Sequence, residues 1–125
     1  MIYGIGVDLV TIARFTDLIA RFGDKTAKKI LADNEYAVYS LRDKKAEFLA
    51  SRFAAKEACV KALGTGFRDG LSLRHIAIVS DDIGKPVLHL DHQAKRLALS
   101  LGVNRCHVTI SHEREHVVAM VVLEA

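Results

Sequence analysis

Lys45–Gly66, KAEFLASRFAAKEACVKALGTG, holds the longest helical pattern in the chain, and the rest of the sequence is read outward from it. No Pro or Gly interrupts it before Gly64, so the spacing predicts one helix from about Lys45 to Leu63 that stops at Gly64. Phe48, Leu49, Ala55, Cys59, Ala62 and Leu63 form its buried stripe. Phe53, Glu57 and Lys61 follow one another at i, i+4, drifting only about 40° per step, and share a second stripe. The helix runs into a glycine-rich loop, GTGFRDG, Gly64–Gly70.

On the N-terminal side, Ile2–Leu9 reads as a strand in which Ile5, Val7 and Leu9 alternate with Gly4, Gly6 and Asp8. Thr11 is placed to cap a helix with the stripe Ile12, Phe15, Leu18, Ile19 and Phe22, ending at Gly23. Arg14, Asp17 and Arg21 fall on its exposed side. Two shorter helices are expected over Thr26–Leu31 and Glu35–Leu41, the second capped by Asp33 or Asn34. On the C-terminal side, Leu73–Val79 and Pro86–Leu90 form a hairpin around residues 81–85. Asp91 caps a helix of Ala94, Leu97, Ala98 and Leu101 that ends at Gly102, and strands Arg105–His112 and His116–Glu124 close the chain. The last of these, HVVAMVVLE, is apolar on both faces and therefore must be covered on both. In so short a chain, part of that cover is expected from a neighbouring subunit.

At 125 residues and 13.8 kDa the chain is one domain, residues 1–125. With 50% hydrophobic and 26% charged residues it carries enough apolar surface to fold, which excludes disorder as a description of the whole. The net charge of +3 is uneven: residues 1–35 balance, whereas residues 42–68 carry seven basic side chains against three acidic ones. Such a local surplus points to an anionic partner or substrate rather than to a uniformly basic nucleic-acid binder. Cys59 and Cys106 make no disulfide framework and match no metal spacing, and read as buried thiols of a reduced compartment. MIYGIGVDLV lacks a basic leader region and is too short to span a membrane. A cytoplasmic location is expected, with neither nucleic acid nor membrane as partner.

The chemistry has a few candidate places. Asp8, at the end of the first strand and just ahead of a helix, is placed either as a metal ligand at a sheet rim or as an extra cap. GIGVDL lacks the third glycine of a dinucleotide fingerprint, since Leu9 stands there. Glu57 and Lys61 are either a surface pair worth about 0.3–0.5 kcal/mol or part of a site. The basic helix around them and the Gly64-Thr65-Gly66 turn, whose amides can approach phosphate oxygens closely, favour the site. One carboxylate, the two lysines Lys56 and Lys61, and that turn make a magnesium–phosphate arrangement, although no Walker loop. His107, Thr109 and Ser111 share one strand face, opposite Val108 and Ile110, and either line a pocket or meet solvent. His107, His112 and His116, on or between the last two strands, are a zinc site only if they converge, and the cysteines are not spaced to help; Cys59 lies on the apolar stripe as a core thiol.

GIGVDL, RFAAKEACVKALGTG, GKP at Gly84–Pro86 and HVTISH at His107–His112 together resemble the holo-acyl-carrier-protein synthase family, the small bacterial type of 4′-phosphopantetheinyl transferase, over essentially the whole chain. The resemblance implies an α+β fold, an antiparallel sheet packed with a long helix, assembled as a homotrimer with active sites at the subunit interfaces. It implies transfer of the phosphopantetheine arm of the co-substrate coenzyme A to a serine of apo acyl carrier protein, with release of adenosine 3′,5′-bisphosphate. Asp8 and Glu57 would hold Mg²⁺, with Mn²⁺ as a substitute, and Lys61 would sit beside the pyrophosphate near Gly64, Thr65 and Gly66. Lys44, Lys45 and Arg52 of a neighbouring subunit would take the 3′-phosphate, and Pro86, His107 and Ser111 would contact coenzyme A. Arg14, Arg21 and Phe53 would dock the acidic carrier protein. A competing reading from another class is a basic oligomeric module that binds acidic protein or RNA without chemistry. Such a module leaves Asp8 and Glu57 without a purpose, and its binding would respond to salt and ignore a chelator.

Overall fold

Two glycines in the first strand set how the chain packs. Built in a computed structural model that describes residues 1–125, the chain runs β1 (Ile2–Thr11), α1 (Ile12–Phe22), α2 (Lys25–Ile30), α3 (Asp33–Ser40), α4 (Lys45–Leu63), a single 3-10 turn (Leu73–His75), β2 (Ile76–Ser80), β3 (Pro86–Leu90), α5 (His92–Ser100), β4 (Arg105–His112) and β5 (His116–Glu124). β1, β5 and β4 form an antiparallel sheet in that order, and β2 and β3 form a separate hairpin. This is the expected α+β arrangement. Gly4 and Gly6 face α4 so closely that a Cβ at Gly4 would lie 2.0 Å from the Ala62 carbonyl oxygen, and one at Gly6 1.8 Å from that of Ala58. Alanines at i, i+4 spacing on the helix, Ala54, Ala58 and Ala62, are all buried, so helix and strand meet backbone to backbone.

The alternation of β1 therefore turns its bulky residues outward. Ile5, Val7 and Leu9 are more than half exposed. The register places Ile5 opposite Val122, Val7 opposite Met120 and Leu9 opposite Val118, and on the far edge His107, Thr109 and Ser111 stand opposite the same three β5 residues. Val117, Ala119, Val121 and Leu123 are buried on the other face of β5, whereas Val118 and Met120 are exposed. The chain thus covers one face of its last strand and leaves the other open.

α4 is buried nearly all round, with 12 of its 19 residues inaccessible, because the sheet lies on one side of it and α1, α3 and the β2–β3 hairpin on others. One of the 12 is Lys56. Its Nζ donates to Glu35 Oε1 (2.5 Å) and to the carbonyls of Ile76 (2.6 Å), Ile30 (2.8 Å) and Leu73 (3.0 Å). Glu35 also accepts from the Ala32 and Ile78 N–H groups, at 2.9 and 3.0 Å. This buried pair ties α2, α3, α4, the 3-10 turn and β2 together.

Several local expectations change. β1 continues to Thr11, whose hydroxyl makes no cap bond. α3 begins at Asp33, and Glu35 rather than Asp33 or Asn34 satisfies its first turn by accepting from the Ala32 N–H. Phe22 ends the α1 stripe exposed, and residues 73–75 leave the hairpin to form the 3-10 turn, capped by Ser72. No helix is long and apolar enough to cross a membrane.

Candidate active site

The close approach of β1 to α4 brings Asp8 under the exposed stripe of the helix. Lys61 Nζ donates to Asp8 Oδ1 and to the Val7 carbonyl, each at 2.9 Å. Asp8 is largely enclosed, its side chain 15% exposed, and its Oδ2 is buried with no hydrogen-bond partner. Glu57, one turn before Lys61, has its carboxyl raised above the usual carboxylate range, first by burial and then by the charge of Asp8, with Lys61 and Arg14 opposing. Two mutually repelling carboxylates with a lone pair unused fit a hard divalent cation. Nowhere do three or more His, Cys, Asp or Glu side chains converge. Such a cation would therefore take two protein carboxylates and complete its shell with water or substrate oxygens, as magnesium prefers. Just beyond Lys61, Gly64 (φ 81°) ends α4 and Gly66 (φ 67°) repeats the left-handed turn.

Lys56 does not join this site. Successive helix positions are about 100° apart, and the same rotation that turns Glu57 toward Asp8 turns Lys56 to Glu35 in the core. Phe53, the third member of the stripe, packs on Phe15 with ring centroids 5.3 Å apart, and the Arg14 guanidinium stacks over it at 5.0 Å. Arg21 lies farther along the exposed side of α1, beside Asp17 at 3.7 Å.

The other basic candidates gather elsewhere. Lys44, Arg52 and Pro86 line a cavity of about 670 Å³ with Arg42, Ser51 and His112. Thirteen steps along the chain, nearly all helical, take Lys44 to Glu57, roughly 20 Å at the α-helical rise. Lys44 and Glu57 of one chain therefore cannot meet the same phosphate. Lys45 turns away, its Nζ donating to the Arg42 carbonyl at 2.6 Å. His107 and Ser111 lie on the open face of the sheet, His107 paired with Glu124. Arg42 was not singled out by the sequence, and His112 was weighed only with His107 and His116 as a zinc ligand. His112 follows Val108 and Ile110 at period two, which was the available signal for the inner face; Arg42 showed only as one of several charges in a basic run.

Residues 4–121 match the model of the 4′-phosphopantetheinyl transferase superfamily. The holo-[acyl-carrier-protein] synthase of Hamiltonella defensa is 47% identical over 123 residues, covering 98% of each chain. The chain belongs to the holo-[acyl-carrier-protein] synthases of that superfamily. Among solved synthases, the Neisseria meningitidis structure superposes with a TM-score of 0.94 at 39% identity over the whole of both chains. A Bacillus anthracis synthase solved in complex with coenzyme A (3′,5′-ADP) gives 0.82 at 38% identity, covering 100% of this chain and 98% of its own. In this synthase, then, the carboxylate pair lies toward the C-terminal half of α4 and the basic cavity toward its N-terminal half.

Proposed function

We propose that the chain transfers the 4′-phosphopantetheine group of coenzyme A to a serine hydroxyl of apo acyl carrier protein, in support of fatty acid biosynthesis, working in the cytoplasm as one domain over residues 1–125. The observation that carries the reading is the unpartnered buried oxygen of Asp8 beside Glu57, Lys61 and the Gly64–Gly66 turn. Asp8 and Glu57 would hold Mg²⁺ or Mn²⁺, which supplies charge neutralisation on pyrophosphate oxygens. The serine oxygen attacks the phosphorus that bears the pantetheine arm. The bridging P–O bond breaks, and adenosine 3′,5′-bisphosphate departs with the bond's electron pair. Lys61, whose ammonium is held at Asp8, would stabilise or protonate that departing oxygen, and the serine proton would pass to a water held on a carboxylate. The Gly64 N–H closes α4 by donating to the Val60 carbonyl at 3.1 Å, which leaves the Thr65 and Gly66 amides of the turn for the phosphates.

The roughly 20 Å between Glu57 and Lys44 along α4 supports a homotrimer in which Lys44, Lys45 and Arg52 of one subunit take the 3′-phosphate of a coenzyme A whose pyrophosphate lies at Asp8 of the next. The open sheet face of Ile5, Val7, Leu9, Val118 and Met120 supports the same assembly, since a contiguous apolar patch marks an interface. Pro86, His107 and Ser111 are assigned to coenzyme A contacts, and Arg14, Arg21 and Phe53 to the acidic carrier. The test is intact mass spectrometry of an apo carrier protein incubated with the chain, coenzyme A and Mg²⁺. A gain of one phosphopantetheine that disappears with chelator is expected. No gain with several carriers, from folded and metal-loaded protein, refutes the assignment.

A further inference from the structure

The carboxylate end of α4 already holds a cation, and it is one of the chain's own. β1 is an edge strand, and beside it the Lys61 ammonium sits where the Asp8 Oδ1 and the Val7 carbonyl oxygen converge, at 2.9 Å from each. Carboxylate and carbonyl oxygens are the donors that a hard divalent cation also seeks. As the chain stands, both oxygens of Asp8 are taken up: Oδ1 carries the ammonium, and Oδ2 is buried with no hydrogen-bond partner. The two sides of Asp8 differ in kind. Inward, the neighbouring Gly6 meets the backbone of α4 so closely that not even a Cβ fits between them, and that side cannot give way. Outward lies Lys61, 54% exposed on a flexible stem. An ion that reaches Asp8 from solution therefore moves the lysine and not the strand. An ammonium and a divalent cation on one carboxylate repel each other, so each weakens the other's hold. A half-exposed pair is also held weakly, as an exchangeable seat requires, unlike the fully buried Lys56 with Glu35.

We propose that Lys61 is the resident counter-ion of Asp8 and leaves that seat when a divalent cation is taken up, so that its ammonium reaches the phosphates only in metal-loaded protein. The inference rests on the proposed transfer, which sets Asp8 and Glu57 as the cation ligands and Lys61 beside the departing oxygen, and adds that the two roles are one exchange. Until the cation arrives, Lys61 keeps the Asp8 charge compensated. Once displaced, it stands on the last turn of α4 next to the Gly64–Gly66 turn, where the phosphates are expected, and the cation and the ammonium are then separated by phosphate oxygens instead of competing for one carboxylate. A lysine that merely propped Asp8 in place would behave in the opposite way, because its removal would loosen the carboxylate and weaken cation binding.

The test titrates Mn²⁺ alone, followed by electron paramagnetic resonance, into the full chain as wild type, Lys61→Met and Lys61→Arg, with neither donor nor carrier present. Lys61→Met is expected to bind Mn²⁺ on the order of tenfold more tightly than wild type, since a competing positive charge is gone. Lys61→Arg should bind no more tightly than wild type, because a guanidinium keeps the charge and can grip the carboxylate with two N–H groups. A second measurement needs no variant: the Lys61 ammonium signal in heteronuclear NMR of wild type should shift on saturation with Mg²⁺, while that of the buried Lys56 stays in place. Mn²⁺ binding by Lys61→Met that is equal to or weaker than that of wild type, binding undetectable in both, or a Lys61 signal indifferent to Mg²⁺ overturns the exchange and leaves the transfer standing. Absence of transfer from coenzyme A by wild type with Mg²⁺ overturns the underlying reaction instead.

Discussion

Replacing Lys56 by Met tests whether the residue beside Glu57 serves the core rather than the chemistry. The ammonium shares its three N–H groups among four acceptors at 2.5–3.0 Å, three of the contacts buried and the one to the Leu73 carbonyl part-buried, and both Lys56 and Glu35 side chains are fully inaccessible. Met fills most of the volume, so little of the expected loss is cavity. What remains is a Glu35 carboxylate with two backbone donors and no counter-charge, together with three carbonyls that lose a donor. Breaking a buried pair from one side costs about 3–5 kcal/mol, a large part of the roughly 5–15 kcal/mol that holds a domain together. With an unfolding entropy near 2.1 cal/mol/K per residue, 125 residues give about 0.26 kcal/mol/K, so Tm should fall by roughly 11–19 °C. Adding Glu35→Gln to Lys56→Met removes the stranded charge and should restore at least half of the loss. Calorimetry on the two variants and wild type at equal protein concentration measures both. A fall under about 3 °C, or a double variant no better than the single, refutes the reasoning. Transfer activity in Lys56→Met should follow the folded fraction, in contrast to Lys61→Met, which should lose transfer while remaining folded.

Asp8→Asn and Glu57→Gln should each abolish metal-dependent transfer with the fold retained, and near-normal turnover with metal present removes that residue from the assignment. Glu57 also predicts a pH signature. Its carboxyl is raised in the fold, so it withdraws stability as pH climbs from its ordinary value through the raised one, and that deficit persists at neutrality. Metal-free Glu57→Gln should therefore melt higher than wild type at pH 7, and the difference should vanish below about pH 4, where the wild-type carboxyl is protonated in both states. Gly6→Ala must move β1 or α4 by at least about 1.2 Å, from 1.8 Å to the 3.0 Å floor of real contacts. Since both sides are backbone, a loss of about 3 kcal/mol or more in urea denaturation is expected, together with displacement of Asp8. Met120→Lys, placed between Val7 and Thr109 on the open sheet face, should yield monomers by light scattering and lose transfer, and an intact trimer would count against that face as the interface.

The sequence alone determined the elements and the residues able to do chemistry. Periodicity is a local property, so the helix over Lys45–Leu63 and the strands Arg105–His112 and His116–Glu124 were legible with their ends, and the i, i+4 stripe of Phe53, Glu57 and Lys61 followed from helix geometry. Only the tertiary structure decided what each face meets. Alternation in β1 divides Ile5, Val7 and Leu9 from Gly4, Gly6 and Asp8, but it cannot say that the glycine side is the inner one. That choice comes from Ala58 and Ala62, more than fifty residues away, which admit a strand only where it has no side chains. Lys56 and Lys61 read alike as lysines of one basic helix, yet Glu35 buries the first and Asp8 holds the second at the surface. Arg42 carried no distinguishing local pattern at all, because it meets Arg52, ten positions on, only at the Phe48 ring over which both stack. Charges are assigned their work by the groups they face, and those groups are brought together by the packing of distant segments.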